Sequence, residues 1–84
     1  MKILVTGGLG YIGSHTVVAL QEKGFEVIVI DDLSNSRIEV LDGIQAITGI
    51  RPEFVQIDLQ KKAEVKQFFK SHSIQGIIHF AASK

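Results

Sequence analysis

Residues 2–15, KILVTGGLGYIGSH, decide the fold class of this chain. A short apolar run at residues 3–5 leads directly into a glycine-rich loop, and a helical pattern follows the loop. The glycines of the loop recur every third residue: Gly7, Gly10 and Gly13. Gly8 also completes a G-x-G-x-x-G spacing with the last two of them. A strand, a glycine turn and a helix start in this order form the sequence context of a dinucleotide-binding loop.

Glycine suits such a loop because its missing side chain lets the main chain approach a pyrophosphate closely. The helix that begins after the loop adds unpaired N–H groups and the positive end of its dipole, which favour an anion. A tight structural turn would show the same glycine spacing, so the interpretation depends on the residues that come after the other strands.

Apolar runs and helical patterns alternate along the rest of the chain and predict four strands and three helices. The strands are expected at residues 3–5, 25–30, 53–57 and 76–80, and the helices at residues 11–23, 37–48 and 61–71. Short helical crossovers are typical of parallel strands with right-handed connections. We therefore predict an α/β fold, the N-terminal part of a doubly wound parallel sheet with strand order 3-2-1-4. Its ligands bind at the carboxyl ends of the strands, where the order reverses between strands one and four.

The spacing of apolar residues indicates which side of each helix faces the sheet. In the first helix these residues are Ile12, Thr16, Ala19 and Leu20. In the second they are Val40, Leu41, Ile44 and Ile47, and in the third Val65, Phe68 and Phe69. A capping box of Ser36 and Glu39 predicts that the second helix starts near Arg37. The fourth strand, GIIHF, is expected to be an uncovered apolar sheet edge.

Composition excludes several classes of function. The 84 residues carry a formal net charge of zero, so no basic patch for a nucleic acid is expected. The absence of cysteine excludes a disulfide framework, a thiolate zinc site and a cysteine nucleophile. The three histidines share no metal-ligand spacing: His15, His72 and His79. No signal peptide or membrane-spanning apolar run is visible, which predicts a soluble, cytoplasmic domain over residues 1–84.

Acidic residues follow the second and third predicted strands. Asp31, 24 residues after Gly7, stands where a carboxylate accepts hydrogen bonds from the adenosine ribose. Its charge would repel a 2′-phosphate, which favours NAD over NADP, although Arg37 could in principle contact such a phosphate. Asp32 is either a second ribose acceptor or a loop residue. Asp58 either lies against the adenine or caps a loop.

Four segments together resemble the extended short-chain dehydrogenase/reductase family, and within it the UDP-glucose 4-epimerases: TGGLGYIGSH, DDLSNS, Asp58-Leu59 and HFAASK. The resemblance covers all 84 residues and implies part of an NAD-binding Rossmann domain. Besides the three spaced glycines, it assigns NAD contacts to Tyr11, Ile12, Asp31, Asp32, Leu33, Ser34, Asn35, Ser36, Asp58, Leu59, Phe80, Ala81, Ala82, Ser83 and Lys84. The family often has asparagine at the position of Asp32. This difference could alter hydrogen bonding to the ribose, but it does not affect Asp31.

The epimerases of that family interconvert UDP-glucose and UDP-galactose. Their bound NAD takes a hydride from C4 of the sugar and returns it to the other face. Their base is the tyrosine of a Y-x-x-x-K motif. Here Tyr11 is the only tyrosine and His15 stands four residues later, so no catalytic residue is assigned. The resemblance implies that the chain is an inactive piece of a longer, homodimeric enzyme. A dehydratase or decarboxylase of the same group, and a non-catalytic NAD-binding module, remain alternatives that the sequence after Lys84 would distinguish.

Overall fold

The computed structural model describes residues 1–34 and 36–80, whose strands and helices alternate as predicted. The elements are β1 (Lys2–Thr6), α1 (Tyr11–Glu22), β2 (Glu26–Asp31), α2 (Val40–Thr48), β3 (Glu53–Gln56), α3 (Lys62–Ser71) and β4 (Gly76–His79). The predicted ends lie within one residue of these bounds, except the start of α2. Among the described residues, no helix combines the length and the apolar composition needed to cross a membrane.

The four strands form one parallel sheet in the order β3-β2-β1-β4, which confirms the predicted fold class and strand order. β1 pairs with β2 over all five of its residues, from Lys2 with Glu26 to Thr6 with Ile30. On its other side β1 pairs with β4, from Ile3 with Gly76 to Thr6 with His79. The carboxyl ends of all four strands therefore share one edge of the sheet, and the order reverses between β1 and β4.

Strand residues alternate between two cores because successive side chains of a strand point to opposite faces of the sheet. One face buries Ile3, Val5, Val27 and Val29, and it packs on residues from α1 and α2. The other face buries Leu4, Ile28 and Ile30 with Phe68 of α3. β1 and β2 are thus covered on both faces, which explains why their sequences are continuously apolar.

The prediction of the buried face of α1 was wrong. The buried residues are Gly13, Val17 and Gln21, whereas Ile12 is 64% exposed and Ala19 is exposed. The sequence pattern favoured the larger apolar side chains, but α1 approaches the glycine loop through its smallest residue. Of the predicted face, Leu20 packs against the core only in part.

The predicted start of α2 was wrong because Ser36 does not cap the helix. Its hydroxyl donates instead to Asp31 Oδ1 at 2.7 Å, and Glu39, the residue before the helix, makes no side-chain cap. Tight turns precede the helix, and the first of them runs from the N–H of Val40 to the carbonyl oxygen of Arg37 at 3.1 Å. The loop after β2 is therefore longer than expected, and the Ser36 hydroxyl belongs to the carboxyl edge of the sheet rather than to the helix.

In α2 and α3, two further apolar side chains assigned to the core are exposed. Ile47 is 66% exposed at the far end of α2, and Phe69 is 40% exposed although its neighbour Phe68 is buried. The rings of Phe68 and Phe69 contact edge to face, with centroids 5.4 Å apart. β4 lies at the sheet edge as predicted, with Ile77 56% exposed.

Candidate cofactor site

The glycine loop turns so tightly that a side chain is disfavoured at three of its glycines. Gly7 adopts a left-handed backbone with φ of 69°, which side chains disfavour. A Cβ added to Gly13 would overlap the carbonyl oxygen of Gly7 and lie 2.9 Å from the Cα of Gly8. A Cβ on Gly8 would lie 2.8 Å from Cγ1 of Val29. The loop is therefore packed between the start of α1 and the centre of the sheet.

The N-terminus of α1 faces the carboxyl edge of the sheet and offers main-chain donors. Gly10 is the N-cap and has no side chain to bond the first turn. The N–H groups of Tyr11, Ile12 and Gly13 lie in that turn, where a helix has no acceptor of its own to offer them. Ser14 is the first residue with a helical bond, from its N–H to the carbonyl oxygen of Gly10 at 2.8 Å. The first turn therefore suits an anion, as the sequence predicted.

Asp31 ends β2 and connects the glycine loop to the loop after β2. It is 9% exposed, and its Oδ2 accepts a hydrogen bond from the buried N–H of Leu9 at 3.2 Å. Its Oδ1 accepts bonds from the N–H of Leu33 at 2.9 Å and from the Ser36 hydroxyl at 2.7 Å. A carboxylate has about four lone-pair positions, so these three donors, which are those among residues 1–34 and 36–80, leave room for a fourth on Oδ2.

The loop after β2 is held in an unusual conformation that serves this carboxylate. Leu33 has a positive φ of 64°, rare for a residue with a side chain, and its side chain packs partly against the core. That backbone directs the Leu33 N–H onto Asp31. Ser34 lies in the same loop and bonds Asp32. Asn35 lies outside the described residues.

Asp32 is exposed and acts on its own loop. Its Oδ1 accepts the N–H of Ser34 at 2.9 Å and the Ser34 hydroxyl at 2.7 Å. These bonds, the main-chain one first, hold the pKa of Asp32 below its ordinary value. The structure thus gives Asp32 a role in shaping the loop, whether or not it also contacts a ribose.

A lowered pKa in the folded state predicts a small acid dependence of stability. The stabilisation is present above the pKa of an unfolded aspartate, about 3.9, and is lost as the pH falls through the lower folded pKa. We expect Asp32→Asn to unfold with a flatter dependence on pH between about 2 and 5 than the unaltered chain. The difference should stay small because the group is exposed to solvent. Urea unfolding followed by circular dichroism across this range measures it, and parallel pH profiles would contradict it.

Asp58 and Leu59 follow β3, at the same carboxyl edge of the sheet. Asp58 Oδ1 accepts the N–H of Gln60 at 2.9 Å, and its carbonyl oxygen accepts the N–H of Lys61 at the same distance. Leu59 packs partly against the core below α3. Asp58 therefore stabilises the turn into α3. Its half-buried side chain follows β3, so β2 separates it from the glycine loop, which follows β1.

The segment after β4 is described only at its first residue. The N–H of Phe80 donates to the carbonyl oxygen of Thr6 at 2.9 Å, which places Phe80 beside the start of the glycine loop. The predicted contacts Ala81, Ala82, Ser83 and Lys84 lie outside the described residues. The glycine loop, Asp31, the loop after β2 and Phe80 are thus brought to one sheet edge.

Sequence reasoning missed two parts of this site. The Leu9 N–H, which bonds Asp31, is a main-chain group that no residue type signals. From the sequence, the His79 imidazole is considered only as a metal ligand, but its Nδ1 lies 2.6 Å from Thr6 Oγ1. The position of Thr6 and His79 at the ends of the strands that flank the reversal was the available signal.

A second concave surface lies at the opposite, amino-terminal edge of the sheet. It encloses about 260 Å³ and carries charges of both signs: Lys2, Glu26, Arg51 and Glu53. Because it mixes both charges and lies away from the carboxyl ends of the strands, it does not share the features of the glycine loop.

Comparison with known proteins gives a consistent result along the whole chain. The sequence model of the NAD dependent epimerase/dehydratase family matches residues 3–84. The UDP-glucose 4-epimerase of Bacillus subtilis is 48% identical over 84 residues, which are all of this chain and 25% of that protein.

Solved structures agree with the sequence comparison. A UDP-glucose-4-epimerase from Stenotrophomonas maltophila, with bound NAD and formylated UDP-arabinopyranose, superposes with a TM-score of 0.93 at 45% identity. The enzyme from Bifidobacterium longum, in complex with NAD+ and UDP, also gives 0.93, at 36% identity. Each comparison covers 100% of this chain and 25% of the longer one. The chain therefore spans about a quarter of the length of these relatives.

Proposed function

This chain belongs to the NAD dependent epimerase/dehydratase family, and on that basis we propose that its described residues form the adenosine and pyrophosphate side of an NAD site. The observation that carries the proposal is the Asp31 carboxylate, which is buried, oriented by three donors and bonded to the glycine loop itself. A ribose hydroxyl would donate to the lone pair of Oδ2 that these donors leave.

The same carboxylate supports NAD over NADP. A 2′-phosphate on the ribose would come within a few ångströms of Asp31, and two negative charges at about 4 Å repel by roughly 1 to 4 kcal/mol near a protein surface. Arg37, the cation that could offset this repulsion, lies in the turns before α2, beyond the loop that Asp31 and Ser36 close.

The pyrophosphate would lie at the first turn of α1. There the N–H groups of Tyr11, Ile12 and Gly13 provide donors, and the positive end of the helix dipole favours the negative charge. The exposed Tyr11 and Ile12 side chains flank this turn. The packing of Gly13 on Gly7 fits this function, because it brings the helix N-terminus close to the end of β1.

The remaining contacts extend the proposal along the sheet edge. Asp58 and Leu59 would border the adenine, as their position after β3 suggests. Phe80 and the residues after it, Ala81, Ala82, Ser83 and Lys84, would pass along the pyrophosphate and the nicotinamide, with the Lys84 ammonium on a phosphate.

For the whole protein we propose the activity of the relatives, the interconversion of UDP-glucose and UDP-galactose. Bound NAD would supply the hydride acceptor, while the described residues bind and orient it. A cytoplasmic location and a homodimeric assembly belong to the same proposal. Incubation of the whole protein with UDP-glucose, and separately with a UDP-hexuronate, tests the activity. UDP-galactose formed from UDP-glucose supports an epimerase. A dehydrated product from UDP-glucose, or carbon dioxide released from the UDP-hexuronate, would indicate a different enzyme of the family.

Calorimetric titration with NAD and NADP tests the cofactor proposal on this chain. The two ligands differ only in the 2′-phosphate, so they are a matched pair. We expect weak NAD binding, since only part of the cleft is present, and NADP binding weaker by about tenfold or more. Equal affinities would contradict the role of Asp31. Glu26→Gln, which removes a charge at the opposite end of the same strand, should leave the preference unchanged.

A further inference from the structure

Thr6 and His79 end the two strands that flank the reversal of strand order, and their side chains contact each other. They are register partners in the β1–β4 pair. Thr6 Oγ1 and His79 Nδ1 are 2.6 Å apart, which is a short hydrogen bond. Thr6 is 4% exposed, whereas His79 is exposed at the sheet edge. The bond joins a buried hydroxyl of a central strand to an imidazole of an edge strand.

This bond links the end of an edge strand to a central strand of the sheet. β4 has four residues and, within residues 1–34 and 36–80, pairs with β1 alone. Short strands with pairing on one side open locally more easily than central strands. The Phe80 N–H, bonded to the carbonyl oxygen of Thr6, adds one main-chain contact just past the strand. Together the two bonds fix the point at which the chain leaves the sheet.

Each partner directly precedes a segment of the proposed cofactor site. Gly7 follows Thr6, and residues 80–84 follow His79. We propose that Thr6 and His79 are a positioning pair, which sets the separation between the glycine loop and Phe80, the first residue after β4. This inference rests on the proposed NAD site. It predicts that the pair controls binding of the pyrophosphate and nicotinamide half of NAD.

The adenosine half should not depend on this pair. It relies on Asp31, the last residue of β2, and on the loop after it. β2 lies on the opposite side of β1 from β4. Which of the two atoms donates depends on the tautomer of the imidazole, since a hydroxyl both donates and accepts.

A double-mutant cycle with two ligands tests the inference on this chain. Thr6→Val and His79→Phe each remove the hydrogen bond. The conservative variants, Thr6→Ser and His79→Asn, keep a polar atom near the position of the original Oγ1 or Nδ1. Calorimetry with NAD and with 5′-AMP separates the two halves of the site. We expect each bond-removing variant to bind NAD about three- to tenfold more weakly, the scale of one hydrogen bond. The double variant should be no weaker than either single variant, and AMP affinity should not change.

The conservative variants and the ligand ratio separate positioning from general stability. Thr6→Ser and His79→Asn should recover most of the NAD affinity, while circular dichroism records whether each variant is folded. An equal loss of NAD and AMP affinity, or unchanged NAD affinity in the folded His79→Phe variant, would overturn the inference. If Thr6→Val does not fold, His79→Phe decides the outcome. His79 is exposed, so its replacement should leave the chain folded. Failure of the unaltered chain to bind NAD would overturn the proposed function itself.

Discussion

Replacing Gly13 with alanine should destabilise the chain more than any other single methyl addition to its glycine loop. The new Cβ would overlap the carbonyl oxygen of Gly7 and approach the Cα of Gly8 at 2.9 Å. Both are main-chain atoms, so no side-chain rotation can relieve the contact. Overpacking of this kind costs about 1 to 3 kcal/mol even where side chains can adjust. We expect a loss at the upper end of that range or beyond it.

Thermal unfolding measures this effect, and the chain contains a matched control. A loss of about 3 kcal/mol should lower the melting temperature by roughly 12 to 24 °C in a domain of this size. Gly43 is also helical, but a Cβ there would meet nothing within 4 Å. Gly43→Ala should therefore raise stability by roughly 0.5 to 1 kcal/mol. Equal melting temperatures for the two variants would show that α1 does not pack on the loop through Gly13.

Replacing Asp31 with asparagine should impair both the fold and cofactor binding. The carboxylate accepts from Leu9, Leu33 and Ser36, whereas an amide presents its own N–H donors on one side. At least one of these donors would then face another donor, and one that is left unpaired in a buried place costs about 1 to 3 kcal/mol. The charge that we propose discriminates against a 2′-phosphate would also be lost.

Unfolding in urea and titration with NAD and NADP measure the two consequences separately. We expect NAD affinity to fall by about tenfold or more. The ratio of NAD affinity to NADP affinity should also become smaller. Asp42→Asn is the matched control, since its carboxylate is 71% exposed and pairs with Arg51 at 2.6 Å. An exposed pair of this kind contributes about 0 to 1 kcal/mol, so this variant should change stability little. An Asp31→Asn variant with unaltered stability and NADP discrimination would contradict the role of the carboxylate.

The sheet could be predicted from sequence because its signals are local and consistent. β1 and β2 contain continuous apolar runs, Gly24 and Gly49 mark the ends of the first two helices, and Asp31 and Asp58 come directly after predicted strands. A parallel sheet then brings these strand ends together without any further information. The strand order 3-2-1-4 follows from connection rules rather than from any one residue.

The helix faces and the start of α2 could not be predicted in the same way, because they depend on contacts distant in sequence. α1 turns towards Gly13 and Val17 because close packing on the loop requires a small residue there, and hydrophobicity alone favours Ile12. Ser36 matches a capping pattern, but Asp31 takes its hydroxyl. In both places a contact within the candidate site overrides the preference that the local sequence indicates.

The part of the site made by main-chain atoms has no sequence signature. Leu9 contributes its N–H to Asp31, so its side chain says nothing of that role. Leu33 takes a left-handed backbone that glycine or asparagine would normally signal. Such departures from local preference are expected at binding sites.

Amide mapping by NMR during an NAD titration tests the proposed cofactor site most directly, because it shows where on the sheet the cofactor binds. We expect the largest shifts on the amides of Gly7, Gly10, Tyr11 and Gly13 and on Leu33 in the loop after β2. Little change is expected at the amino-terminal edge, around Glu26 and Arg51. Shifts concentrated at that opposite edge, with the glycine loop unmoved, would contradict an NAD site at the carboxyl ends of the strands.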